Sequence, residues 1–182
     1  MLLVKTHYPA VIFEERPNFI NFDKAVLLIR DPFEAVKSEF NRQKANGNHT
    51  GLASEEAFRM HWKNFTETKS IKWFEFHEYW LSKFIDPQNI YILLYKSLVE
   101  NTENEVQKLL NYLNVKSTNT DLACMMTQKQ GLYHRAKIPT SLRIHFDDDI
   151  RQKMCTYIEK TIDLLRKRTN VTNFLTNDMY CT

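Results

Sequence analysis

Apolar and polar positions along this chain switch between two periods, and the switch points mark its elements. Leu2–Thr6 is a short apolar stretch ending near Pro9, which predicts a buried strand. Ala25-Val-Leu-Leu-Ile29 is a stronger case, a continuous apolar run bounded by charge, as in a strand covered on both faces. Asp31-Pro32 follows at once, an N-cap acid and a proline at the first helical position. Phe33, Val36 and Phe40 then recur at helical spacing and predict a helix to about Lys44. Asn46-Gly47-Asn48-His49-Thr50-Gly51 reads as a loop.

Ser54 can cap a helix through about Thr68, with Phe58, Trp62 and Phe65 on one stripe. A second aromatic helix carries Trp73, Phe76, Trp80 and Phe84, and Asp86-Pro87 stops it. Ile90–Leu94 predicts a third buried strand. Thr102-x-x-Glu105 matches a capping box, ahead of a helix with Val106, Leu109, Leu110 and Leu113 on its apolar face. From Thr118 to Ser141 the pattern is irregular. Asp147–Asp149 open a last helix and Arg166-Lys167-Arg168 close it, as the helix dipole favours.

Strands alternating with helices predict an α/β fold with a parallel sheet flanked by helices. Three strands are few for sheets that average about five or six. The first element also begins at residue 2, so the chain reads as one N-terminally truncated domain over residues 1–182.

Composition agrees with a single domain. The chain has 182 residues, 43% apolar and 13% aromatic, enough for a real core and against disorder. A net charge of +3 suits a small anionic ligand and is too weak and scattered to indicate nucleic acid. Gly47, Gly51 and Gly131 are the only glycines, which excludes both G-x-G-x-x-G and a Walker-type loop. Any phosphate must then be held largely by side chains and helix N-termini. Cys124, Cys155 and Cys181 form no C-x-x-C and no zinc spacing, and their odd number prevents complete internal pairing. No apolar run approaches the roughly 20 residues of a membrane-spanning helix, and Met1–His7 lacks the features of a secretory signal. N-x-[ST] sequons stand at Asn48, Asn64 and Asn170, not far above chance for this Asn- and Thr-rich chain.

In parallel α/β folds ligands bind at the carboxyl ends of the strands. Lys5, Thr6 and His7 follow the first predicted strand, Arg30 the second and Tyr95 the third. A base candidate, cations and an aromatic would converge on one rim. Arg30 joins a helix N-terminus whose N–H groups favour an anion, and Ser38 lies about two turns along that helix. Arginine offers the bidentate grip that suits a phosphate. This describes a site for a phosphorylated nucleotide.

These residues resemble the sulfotransferases. Lys5-Thr6-His7-Tyr8-Pro9 is similar to their K-T-H-x-P segment, whose His is the general base. Arg30-Asp-Pro-Phe-Glu-Ala-Val-Lys-Ser38 resembles the segment whose Arg and Ser contact the donor's 3′-phosphate. The stretch from Tyr95 to Leu110 resembles a segment whose Tyr lies near the adenine. All three occur in family order, over about residues 2–115. Val4-Lys-Thr-His7, Leu27-Leu-Ile-Arg30 and Glu39-Phe-Asn-Arg42 together look most like the WSC-domain-containing sulfotransferases, although the chain holds no WSC domain.

The resemblance implies a P-loop NTPase-like fold lacking its first strand and phosphate loop, since no 5′-phosphosulfate-binding strand–loop–helix precedes the K-T-H segment. It implies transfer of a sulfuryl group from 3′-phosphoadenylyl sulfate to a hydroxyl or amine, with a glycan or glycoconjugate as acceptor. His7 and Lys5 are then the catalytic residues, and Arg30, Ser38, Tyr95 and Arg135 hold the donor, without a metal and without a nucleic-acid partner. Arg135, in Gly131-Leu-Tyr-His-Arg135, is the nearest equivalent of the family's late R-K-G element, and Lys96-Ser97 replaces its acidic pair. A Golgi-lumenal setting, with a membrane anchor in the full-length protein, also follows from the resemblance.

The bland alternatives stay open from sequence. Arg30 could pair with Asp31 or Glu34, Ser38 could be a solvated helix position, and Tyr95 an ordinary strand-end aromatic. Trp62, Trp73 and Trp80 read as core or acceptor-cleft wall, and His77-Glu78-Tyr79-Trp80-Leu81 fails the H-E-x-x-H zinc pattern at its last position. The alternative to an enzyme is a catalytically incompetent nucleotide-binding or structural remnant of such a domain. A small-molecule kinase is disfavoured, because no Walker motif is present.

Overall fold

The computed structural model describes residues 3–7, 22–45, 48, 50–128, 146–167 and 181. Two parallel strands, β1 (Ala25–Ile29) and β2 (Ile90–Leu94), pair in the register Ala25↔Ile90 to Ile29↔Leu94. Helices α1 (Pro32–Lys44) and α2 (Glu55–Lys83) form the crossover between them, as parallel pairing requires. A single 3₁₀ turn, Pro87–Asn89, leads into β2. Beyond it come α3 (Tyr95–Glu100), α4 (Thr102–Tyr112), α5 (Asn119–Thr127) and α6 (Asp148–Arg166). Among the described residues no helix is long and apolar enough to cross a membrane.

One face of the sheet carries the core. Leu27, Ile29 and Ile90 pack there with Phe33, Val36 and Phe40 of α1, Trp62, Trp80 and Leu81 of α2, and Ile150, Met154, Ile158 and Leu165 of α6. The ring of Phe40 lies 4.5 Å from Phe58, 5.1 Å from Trp62 and 5.0 Å from Phe65, centroid to centroid. Offset and edge contacts of this kind add about 0.5–1.5 kcal/mol per pair beyond area burial. On the other face α4 packs on β2 through Tyr112, whose ring is 5.2 Å from that of Tyr91. Its hydroxyl donates to the Ala25 carbonyl.

Several expectations are revised. The strand at Leu2–Thr6 does not form over the described residues 3–6; Leu3 is 68% exposed, and the described sheet holds β1 and β2 alone. A strand without a ladder partner leaves its backbone groups to water. β1 is covered on one face, not two, with Val26 and Leu28 exposed on the other. The two aromatic helices are one, because nothing between Thr68 and Trp73 breaks the helix. The buried Thr66 and Ser70 hydroxyls donate to carbonyls of the preceding turn, at Trp62 (3.0 Å) and Thr66 (2.7 Å). The Thr102/Glu105 capping box is not made: Thr102 is already helical, Asn101 stands at the N-cap without a side-chain bond, and Glu105 pairs with Lys108. A capping box forms instead at Thr118 and Asp121 and starts α5 inside the stretch read as irregular.

Cys155 of α6 is disulfide-bonded to Cys181 and Cys124 is a free, exposed thiol. The bridge spans 26 residues of sequence, a loop for which chain-entropy arguments give about 3 kcal/mol of stabilisation.

The turn from α1 to α2 hangs on one buried amide. Asn41, 1% exposed, donates from Nδ2 to the Lys37 carbonyl (3.0 Å) and accepts on Oδ1 from the Ala53 N–H (2.8 Å). Asn41→Ala leaves that N–H buried without its partner, which costs about 1–3 kcal/mol. Urea unfolding should show a loss of that order at an unchanged m-value; an unaltered midpoint would refute the assignment.

Candidate functional site

The register of the sheet decides which predicted residues meet. Because Ile29 pairs with Leu94, the next residues, Arg30 and Tyr95, leave the sheet side by side at its carboxyl edge. The guanidinium carbon of Arg30 sits 4.7 Å from the centre of the Tyr95 ring, a cation–π contact. Arg30 makes no ion pair among the described residues, so the alternatives of pairing with Asp31 or Glu34 are not realised. Its Nε is buried and has no hydrogen-bond partner among the described residues. A buried donor of a charged group without an acceptor is unusual, and it makes Arg30 a candidate for holding an anion.

The start of α1 offers less to an anion than the sequence suggests. Asp31 caps the helix by accepting the Glu34 N–H on its own carboxylate (2.9 Å), and Pro32 has no N–H to give. Ser38 is half-buried on α1, six positions beyond its first residue and so about 9 Å along the axis. An anion held by both would have to bridge them.

Lys5 and His7 are exposed, in a segment without regular structure, and among the described residues no hydrogen bond or ion pair ties them to Arg30, Ser38 or Tyr95. Arg135 lies outside the described residues. Among the described residues no three His, Cys, Asp or Glu side chains are grouped to hold a metal ion. The structure thus brings Arg30 and Tyr95 together, with no hydrogen bond or ion pair from Lys5 or His7 to them among the described residues.

Two residues that sequence reasoning did not assign to the site support it from below. The Trp73 indole N–H donates to the Arg30 carbonyl (3.1 Å), pinning the strand end to the middle of α2. One turn on, His77 places Nδ1 2.6 Å from the Trp73 carbonyl, with its ring 4.3 Å from the indole. A carbonyl only accepts, so Nδ1 carries the proton, and the buried Nε2 makes no hydrogen bond within normal distance among the described residues. Trp73 was legible only as an aromatic at helical spacing, and His77 only as the first residue of a failed zinc pattern.

Burial pushes the His77 imidazole down to about 4, against the opposing pull of the Trp73 and Leu28 main-chain groups. The unfolded chain takes up this proton near the ordinary value of 6.5, while the folded chain resists it until about 4. Stability is therefore full above about pH 6.5, declines as pH falls and levels off below about pH 4. Between about pH 7.5 and about pH 5 this group should remove about 2 kcal/mol. His77→Leu, neutral at every pH, should lose that share of the pH dependence in urea titrations; an identical dependence in both proteins would refute it.

Comparison with known proteins gives a family match and several relatives. Residues 1–163 match the family described as sulfotransferase domain. A WSCD family member of Aedes aegypti is 34% identical over 142 residues, which cover 75% of this chain and 42% of the relative. A WSCD family member of Drosophila pseudoobscura pseudoobscura is 33% identical over 141 residues, again 75% and 42%, and one of Drosophila melanogaster is 32% identical with the same coverage. The chain thus spans less than half the length of these curated relatives. No solved structure matches the chain.

Proposed function

The chain belongs to the sulfotransferase domain family, and from that premise we propose that it moves a sulfuryl group from 3′-phosphoadenylyl sulfate to a hydroxyl or amine of a glycan. The observation that carries the donor half of this reading is the orphaned, buried Nε of Arg30 beside the Tyr95 ring, at the carboxyl edge of a parallel sheet. The 3′-phosphate takes the Arg30 guanidinium, with Ser38 further along α1 as a hydroxyl donor and Tyr95 next to the adenine. Arg135 is the remaining candidate for the donor phosphates. All four act by charge and hydrogen bonding, in the absence of any glycine-rich loop among these 182 residues.

In the transfer, the acceptor oxygen or nitrogen forms a bond to sulfur while the bond from sulfur to the bridging phosphate oxygen breaks. The acceptor's proton passes to His7, and adenosine 3′,5′-bisphosphate leaves. An imidazole accepts and releases a proton readily near neutral pH and so suits that role, and Lys5 would offset charge on the sulfuryl and bridging oxygens. We assign the whole of residues 1–182 to one such domain. The Cys155–Cys181 disulfide favours an oxidising setting, in keeping with a Golgi-lumenal location for the full-length, membrane-anchored protein.

The exposure of Lys5 and His7, with no hydrogen bond or ion pair to Arg30 among the described residues, favours one second reading: a domain that holds the nucleotide and does not turn it over. Calorimetric titration with adenosine 3′,5′-bisphosphate tests the part common to both. Micromolar binding, about −8 kcal/mol, is expected for the wild type. Arg30→Ala should weaken it at least tenfold, and Arg30→Lys should recover only part, because an ammonium lacks the planar fork. Equal binding by wild type and Arg30→Ala would overturn the donor-site assignment. Sulfate transfer to a glycan that survives His7→Ala would remove His7 from the mechanism.

A further inference from the structure

Two of the three sequons lie where the structure describes both the Asn and the Thr, and they are presented in opposite ways. Asn64-Phe65-Thr66 is in the interior of α2. Thr66 is fully buried there, and its hydroxyl donates to the Trp62 and Lys63 carbonyls at 3.0 Å and 2.7 Å. That hydroxyl is taken, and the backbone is committed to the helix.

Asn48 and Thr50 stand in the connection between α1 and α2, with Asn48 exposed. Asn48 Oδ1 accepts from both the Thr50 N–H and the Thr50 hydroxyl, each at 3.0 Å. This brings the hydroxyl of the sequon against its own amide and leaves Nδ2 without a hydrogen bond to any described residue. The Asn48 N–H donates to the Ala45 carbonyl and the Gly51 N–H to the Asn48 carbonyl, at 2.9 Å and 3.1 Å. A Cβ at Gly51 would sit 2.9 Å from the Ala45 Cβ and 3.2 Å from the Asn48 Cβ, so the glycine is what lets this connection close so tightly.

We propose that Asn48 is an N-glycosylation site of this protein and that Asn64 is not. The inference rests on the lumenal part of the reading above, for which the Cys155–Cys181 disulfide is an independent observation. In the reaction Asn48 Nδ2 forms a bond to C1 of the first sugar of a polyprenyl-pyrophosphate-linked oligosaccharide. The C1–O bond to the pyrophosphate breaks, the lipid pyrophosphate leaves, and Nδ2 gives up one proton to the transferase's base. Asn48 is exposed, so the glycan projects into solvent. The 13 residues of α1 put roughly 20 Å between it and Arg30, so the strand-end edge stays open.

The test expresses the full chain behind a cleavable secretory signal in cultured animal cells, in an Asn170→Gln background, and reads each site by mass spectrometry after enzymatic deglycosylation. In the secreted, disulfide-linked protein Asn48 should be occupied and Asn64 unoccupied. Asn48→Gln and Thr50→Val should each remove the single glycan step on a gel, and Thr50→Ser should keep it. An unmodified Asn48 in chains whose Cys155–Cys181 bond has formed overturns the acceptor assignment alone, and occupancy of Asn64 in that fraction overturns the discrimination. The natural full-length protein, followed without the added signal, separates the other failure: a location outside the secretory pathway overturns the modification together with the lumenal reading.

Discussion

The parallel pairing of β1 with β2 is the constraint from which the rest of this structure follows. Parallel strands cannot be joined by a tight turn, so the chain between them must leave one end of the sheet and return to the other. Here it does so through α1 and α2, which cover one face and carry most of the aromatic side chains onto Leu27, Ile29 and Ile90. Two strands alone are marginal in water. Their stability is borrowed from that helical layer, and α6 completes it by packing Ile150, Met154 and Ile158 into the same core. The pairing also sets direction: both strands end at one edge, and Arg30 and Tyr95 meet there because of the register and for no local reason.

Local signals were legible to the degree that they depend on neighbours in sequence. The Ala25–Ile29 and Ile90–Leu94 runs, the Asp31-Pro32 start of α1 and the acid-to-base polarity of α6 each state their own boundary, and the observed limits agree. What depended on partners elsewhere was not legible. Leu2–Thr6 has the composition of a strand, but composition cannot supply the neighbour that a ladder needs. Thr102 and Glu105 have capping-box spacing, yet α3 ends only one residue earlier, Thr102 is already helical and Glu105 is paired with Lys108. At the site, Arg30 and Tyr95 could be placed because strand ends can be read from sequence. Trp73 and His77 could not be, since their role arises from the way one helix face meets one strand end. The tight Asn41–Ala53 clamp was similarly hidden inside Glu39-Phe-Asn-Arg42, a segment noticed only for its family likeness.

The energetics of Arg30 support the proposal that this edge holds an anion and is not merely a polar margin. Leaving one buried donor of a charged group unsatisfied costs about 1–3 kcal/mol or more. The Tyr95 face returns about 0.5–2 kcal/mol through the cation–π contact. That contact orients the guanidinium plane without using any of its N–H groups, so Tyr95 holds the side chain in place while its donors stay available. A carboxylate partner would have been simpler if the aim were stability alone, and Asp31 is adjacent in sequence. Its carboxylate instead accepts the Glu34 N–H and caps α1, a bond that keeps it engaged with the helix. The Arg30 carbonyl is fixed by Trp73 of α2 and its ring partner Tyr95 opens α3 directly after β2, so the backbone and the side chain are held from two different elements. A cation that is anchored on both sides, partly dehydrated and unpaired among the described residues gains more from a phosphate than a flexible surface arginine does. It gives up little further side-chain freedom on binding, and the ligand relieves an existing deficit.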